Sequence, residues 1–178
     1  LKTNQLLEGK PSVINQVISL EPFLNTNCKL VIKREDLIHP YISGNKYRKL
    51  KYNLINAKKE DFNTLLTFGG AYSNHIAAVA SVGKEFGFNT IGVIRGEELI
   101  DKIDFNPTLL FAKECGMKFL FISRKDYQLK TEKAFIDILK SKFGHFYLIP
   151  EGGTNQFAVK GCSEILEKED LNYDFICA

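Results

Sequence analysis

The chain has 178 residues, 44% hydrophobic and 25% charged, with a net charge of +3. That balance belongs to an ordinary globular protein able to bury a core, and it excludes a disordered tail. Lysines interleave with acids, as in Lys58-Lys59-Glu60-Asp61, so no dense basic patch marks a nucleic-acid partner, and no apolar run approaches the roughly 18 residues of a membrane span. The first residues, Leu1-Lys2-Thr3-Asn4-Gln5, lack the apolar core of a signal peptide, and the absence of a starting Met implies that earlier residues are missing. Cys28, Cys115, Cys162 and Cys177 lie far apart without a C-x-x-C pair. They are expected to be thiols in a reducing cytosol rather than zinc ligands or disulfides, which makes the expected location cytoplasmic.

In chain order, residues 29–33 read as a short apolar strand and 44–59 as a helix. Runs 64–68, 90–94, 118–122, 146–149 and 173–177 read as further strands. Between them, 73–86, 106–115, 131–143 and 156–168 carry helical periodicity, three of them closed by Gly87, Gly116 and Gly144. Alternating strand and helix predict an α/β fold of three layers, α/β/α, around a mostly parallel sheet. In such folds the functional loops sit at the carboxyl ends of the strands, where both Gly69-Gly70 and Glu151-Gly152-Gly153 fall.

Within 44–59, Leu50, Leu54 and Ala57 recur on one helical stripe, and at about 100° per residue Lys46 falls on that stripe. Arg48, Lys51, Lys58 and Lys59 are expected on the opposite, solvated face. A lysine in partly apolar surroundings has a lowered pKa and can attack a carbonyl to form a Schiff base. The alternative is that Lys46 sits in the first turn and snorkels to water. After the strand 64–68, Gly69 and Gly70 allow close backbone approach, and a helix starting near Ser73 or Asn74 points its free N–H groups at the same space. This describes an anion site to which the Ser73 hydroxyl and Asn74 amide add hydrogen bonds, although either residue also suits a simple N-cap. His75, read from the residues alone, is a partly exposed structural histidine.

Lys33-Arg34-Glu35-Asp36-Leu37, Ser43-Gly44-Asn45-Lys46, Phe68-Gly69-Gly70-Ala71-Tyr72-Ser73-Asn74-His75 and Pro150-Glu151-Gly152-Gly153-Thr154-Asn155 occur in that order. Together they resemble the pyridoxal-phosphate enzymes of the tryptophan synthase β superfamily (fold type II), in the branch holding 1-aminocyclopropane-1-carboxylate deaminase and D-cysteine desulfhydrase. The resemblance implies pyridoxal 5'-phosphate as cofactor, with Lys46 as its Schiff-base lysine. It implies that Asn74 bonds the 3'-oxygen of the cofactor ring, that Ser73, Asn74 and the His75 N–H grip a substrate carboxylate, and that Ser73 has a catalytic part. Lys49 matches a second family lysine with a supporting electrostatic role, and Glu151-Gly152-Gly153 matches the loop over the cofactor face.

The same resemblance divides the chain into an N-terminal part of a large cofactor-binding domain (1–51), a small α/β domain (52–168) and the return into the large domain (169–178). In these enzymes a glycine-rich phosphate loop follows a strand like 173–177, so the chain is expected to be the N-terminal portion of a longer enzyme. The implied activity is an amino-acid lyase or deaminase acting on a small amino-acid substrate, as a homodimer, without nucleic-acid or membrane partners. D-cysteine would give pyruvate, ammonia and hydrogen sulfide; 1-aminocyclopropane-1-carboxylate would give 2-oxobutanoate and ammonia. The competing reading is a catalytically silent α/β module that binds an anion or a partner. A dinucleotide-binding fingerprint is disfavoured, because Gly69-Gly70-Ala71-Tyr72-Ser73 lacks its third spaced glycine.

Overall fold

The structure, a computed structural model, describes residues 9, 11–21, 27–42 and 44–177. Ser43 of the lysine motif lies outside the described residues. Strands β1 (Asn15–Ile18) and β2 (Leu30–Lys33) form an antiparallel ribbon of their own. Helix α1 (Asn45–Lys59) then leads into β3 (Thr64–Gly69), α2 (Asn74–Phe86) and β4 (Asn89–Arg95). After a 3-10 segment at Glu97–Phe105 come α3 (Pro107–Glu114), β5 (Lys118–Ile122), the single turn α4 (Arg124–Tyr127), α5 (Lys133–Phe143), β6 (Tyr147–Ile149) and α6 (Gln156–Cys162).

The four later strands pair in parallel in the order β5-β4-β3-β6. Side chains alternate across β3 and split the core into two layers. Leu65 joins Ile94 and Ile149 beneath α1, α2 and α3, where Leu50, Leu54, Ile76, Val79 and Leu109 are buried. Leu66 and Phe68 face the other way with Ile91 and Val93, onto Tyr127 and Leu139 of α4 and α5. The expected three-layer α/β/α arrangement is therefore present. Each fully buried leucine contributes roughly 1.5–3 kcal/mol, so these two layers supply most of the drive to fold.

Local chemistry sets the helix ends. Ser73, Asn106, Ser123 and Asn155 each accept a hydrogen bond from the backbone of the helix they start. Gly87 closes α2 in the left-handed conformation at φ +75. Glycines also set how closely elements approach. A side chain at Gly69 would meet Ile76 at 2.5 Å, and one at Gly161 would fall 1.9 Å from the Arg48 carbonyl oxygen. Helices α1 and α6 thus touch backbone to backbone.

Three expectations need correction. Arg48 and Lys51 do not lie on a solvated face: they are 1% and 7% exposed. Helix α6 and the turn at Glu35–Leu37 cover that side of α1, and each cation has a carboxylate. Arg48 reaches Glu35 through two bonds of 2.7 and 2.9 Å, and Lys51 reaches Glu164 at 2.8 Å. The helix expected over 156–168 stops at Cys162, after which a 3-10 turn forms at Lys168–Asn172. Residues 173–177 form no strand, because no described strand lies beside them to complete a ladder; Phe175 is 89% exposed. No described helix is long and apolar enough to cross a membrane.

Candidate active site

The chain turns back at β3: β4 and β5 lie to one side of it and β6 to the other. Such a reversal leaves a crevice between the loops leaving the two diverging strands, which is where open α/β sheets take ligands. Here the loops are 70–73 after β3 and the turn Glu151–Gly153 after β6. They border a cleft of about 770 Å3 lined by Asn45, Lys46, Ser73, Asn74, His75, Glu151 and Gly152, with Pro40, Tyr41, Pro107 and Phe111 also in its lining. The first turns of α1 and α2 both open into it, so two positive helix ends face one space.

Lys46 stands in the first turn of α1, half-buried. Burial is the main cause that lowers its pKa from the usual lysine value, and the neighbouring charge of Lys49 acts the same way. More of the amine is neutral than in an exposed lysine, as a nucleophile requires. Lys49, one turn further on, is held by a 3.0 Å bond to the Thr154 hydroxyl.

Ser73 caps α2, its Oγ accepting from the Ile76 N–H at 3.3 Å, and it also lines the cleft. The cap and ligand readings are therefore compatible in one residue. Asn74 is exposed at the same mouth. Gly69 and Gly70 do not take left-handed angles; Gly69 is required by its approach to Ile76, not by a sharp turn. Gly152 and Gly153 are the pair that take left-handed angles, at φ +68 and +78, which glycine adopts without strain.

His75 differs from expectation: it is 2% exposed, not partly solvated. Burial holds its imidazole at about 3, with the charges of Lys46 and Lys49 adding to the effect and the Pro150 backbone opposing it. It is neutral at physiological pH. Nε2 lies 2.8 Å from the Thr67 hydroxyl, which donates to the Ile149 carbonyl at 2.9 Å. Among the described residues no group makes a well-formed hydrogen bond to Nδ1. A side chain at Gly153 would lie 3.2 Å from the ring, so glycine is needed there for space as well as for its angle.

Lys46 and the consecutive residues Ser73, Asn74 and His75, which lie on different helices, thus converge on one cleft. Thr67 and the wall formed by Tyr41 and Phe111, whose rings stack at 4.7 Å, were not anticipated. Thr67 carried a readable signal, as the polar interruption of Leu65-Leu66-Thr67-Phe68. Tyr41 and Phe111 carried none, because their pairing depends on how α3 packs.

No protein-family model matches the chain. Curated relatives do. It is 32% identical over 162 residues to the mitochondrial bifunctional D-cysteine desulfhydrase/1-aminocyclopropane-1-carboxylate deaminase of Arabidopsis thaliana, covering 85% of this chain and 40% of that protein. It is 34% identical over 160 residues to a putative 1-aminocyclopropane-1-carboxylate deaminase of Thermotoga maritima, covering 84% of this chain and 49% of the relative. The crystal structure of an ACC deaminase homologue superposes with a TM-score of 0.69 at 25% identity, over 96% of this chain and 50% of that one. Diaminopropionate ammonia lyase from Escherichia coli shares the fold, with a TM-score of 0.58 at 14% identity over 92% of this chain and 49% of its own. The chain spans about half the length of the curated relatives it matches. Over 84–85% of its own length the chain is similar to relatives named 1-aminocyclopropane-1-carboxylate deaminase and D-cysteine desulfhydrase.

Proposed function

We propose that this chain carries the lysine-bearing half of the active site of a pyridoxal-phosphate-dependent amino-acid lyase or deaminase. The observation that carries the reading is the convergence of Lys46, Ser73, Asn74 and His75 on one cleft at the switch point of the sheet. The residues present fit the cofactor: a half-buried amine of lowered pKa, an exposed amide and two helix N-termini are the donor set that an anionic aldehyde would need. When bound, pyridoxal phosphate supplies an electron sink for charge developing on the substrate. Lys46 would hold it covalently, and Asn74 would bond its ring oxygen. The Ser73 hydroxyl, the Asn74 amide and the His75 N–H would hold the substrate carboxylate at the positive end of α2. Ser73 would also take part in proton movement near the cofactor. Neutral His75, wedged under Gly153, keeps a third positive charge away from Lys46 and Lys49.

The substrate is a small amino acid, and relatives named for D-cysteine and for 1-aminocyclopropane-1-carboxylate support both choices. We favour D-cysteine, converted to pyruvate, ammonia and hydrogen sulfide. The proposal includes a cytoplasmic homodimer without nucleic-acid or membrane partners. It also includes the division into 1–51, 52–168 and 169–178, whose first boundary falls inside the continuous helix α1. Product analysis tests the activity: purified protein supplied with pyridoxal phosphate is given each substrate, and sulfide, pyruvate and 2-oxobutanoate are measured. Sulfide with pyruvate, or 2-oxobutanoate, formed by the parent and absent with Lys46→Ala supports the reading. Cofactor bound without either product contradicts it.

A further inference from the structure

The lining of the cleft includes Pro40 and Tyr41, from the loop that leads into the lysine motif. That loop is tied down at several points. The Gly44 N–H donates to the Glu35 carbonyl at 2.9 Å, and Ile42 is inserted in the core at 2% exposure. Between them His39 is bonded on both nitrogens. Its Nδ1 accepts the N–H groups of Tyr41 at 3.2 Å and Ile42 at 3.0 Å. Its Nε2 lies 3.0 Å from Glu85 Oε2. Two N–H donors on Nδ1 require a bare lone pair there, so the proton sits on Nε2 and is given to Glu85.

Glu85 breaks a local rule that this bond explains. It is a carboxylate in the last turn of α2, where the helix dipole disfavours negative charge. Ser81 Oγ donates to its other oxygen at 2.8 Å and fixes its orientation. The chain Ser81, Glu85, His39 and the 41–42 backbone therefore links the end of α2 to the loop, and Tyr41 is delivered onto Phe111 with its rings 4.7 Å apart.

We propose that His39, locked as its Nε2–H tautomer between Glu85 and the backbone of its own loop, is the positioning residue that holds Tyr41 against Phe111 and so builds one wall of the Lys46 cleft. The part of this that concerns ligand binding rests on the reading of the cleft as a cofactor site; the clasp itself does not.

Two measurements judge the clasp without any ligand. The 15N spectrum of the His39 ring at neutral pH should show a protonated Nε2 and a bare Nδ1; the opposite tautomer overturns the proposal. Amide hydrogen exchange at Tyr41 and Ile42 should quicken about tenfold or more in His39→Ala, which removes two backbone hydrogen bonds. Exchange should stay near the parent rate in Glu85→Gln, which keeps an oxygen for Nε2–H, and in His39→Asn, whose side-chain oxygen can accept the same amides. Unchanged exchange in His39→Ala also overturns the proposal. Should that variant not fold, the tautomer and Glu85→Ala, expected to loosen the loop, decide the matter. The route through Tyr41 is tested with pyridoxal phosphate as the probe. His39→Ala should weaken its binding several-fold in the parent and have no further effect in a Tyr41→Ala background. Additive effects refute the route. If the parent itself fails to bind the cofactor, the functional reading fails, and the spectrum and exchange still judge the clasp.

Discussion

Replacing Gly161 with alanine sets two physical effects against each other. Gly161 lies inside α6 with ordinary helical angles, so intrinsic propensity alone predicts that alanine stabilises the helix by about 1 kcal/mol. The structure predicts the opposite. The new methyl would sit 1.9 Å from the Arg48 carbonyl oxygen and 2.8 Å from its carbon, and both atoms are backbone of α1 with no rotamer to yield. Clearing the contact requires α6 to part from α1 by roughly an ångström. Overpacking of this kind costs typically about 1–3 kcal/mol and more where backbone must move. Neighbours of that contact would suffer as well: the reciprocal amide pair of Asn53 and Asn155, bonded at 2.7 and 3.2 Å, and the Lys51–Glu164 pair at 2.8 Å. A net loss of about 3 kcal/mol corresponds to a fall in thermal midpoint of about 6–12 °C for a chain of this size. Thermal unfolding followed by circular dichroism reads it directly. A midpoint equal to the parent's, or raised as propensity predicts, would refute the close approach of the two helices.

Other predictions follow from the buried polar groups. Because His75 is held at about 3 against an ordinary value of 6.5, the unfolded chain takes up its proton first as pH falls. Its contribution is thus complete above pH 6.5 and is lost at up to about 1.4 kcal/mol per pH unit between 6.5 and 3; urea unfolding at several pH values should show that slope diminished in His75→Gln. Arg48→Met leaves the Glu35 carboxylate without its partner in a site only 15% exposed, and should cost about 3–5 kcal/mol by denaturant titration. Adding Glu35→Gln should recover much of the loss, and a single-variant cost under about 1 kcal/mol would show that the pair is not structural. Ser73→Ala should remove the α2 cap at a cost of about 1 kcal/mol and weaken cofactor or substrate retention, whereas Ser73→Thr should keep the cap. A stability change without any change in binding would confine Ser73 to a structural role.

The alternation of short apolar runs with helical stretches made the sheet legible, since β3, β4 and β6 are largely buried and read as short apolar segments, while the edge strand β5 is only partly covered but keeps the same apolar composition. Lys46 was legible for a related reason: it follows the stripe of Leu50, Leu54 and Ala57, and the structure leaves it half-buried. Its neighbours on α1 were misread because burial of a cation depends on a partner that periodicity does not see. Glu35 lies before the helix, and Glu164 lies 113 residues after Lys51. The same reasoning accounts for His75: a histidine looks solvated by default, and only the packing of Gly153 over its ring reveals it as buried. Residues 173–177 have the composition of a strand, but a strand needs a ladder beside it, and among the described residues none is there.

The central claim is that Lys46 is the amine that receives the cofactor aldehyde. The most direct measurement is to incubate the protein with a limiting amount of pyridoxal phosphate, reduce with borohydride and locate the resulting adduct by peptide mass mapping. The account predicts modification concentrated on Lys46, because its lowered pKa and its place between two helix N-termini set it apart from exposed lysines such as Lys58 and Lys59. Adduct spread over surface lysines, with no preference for Lys46, would contradict it.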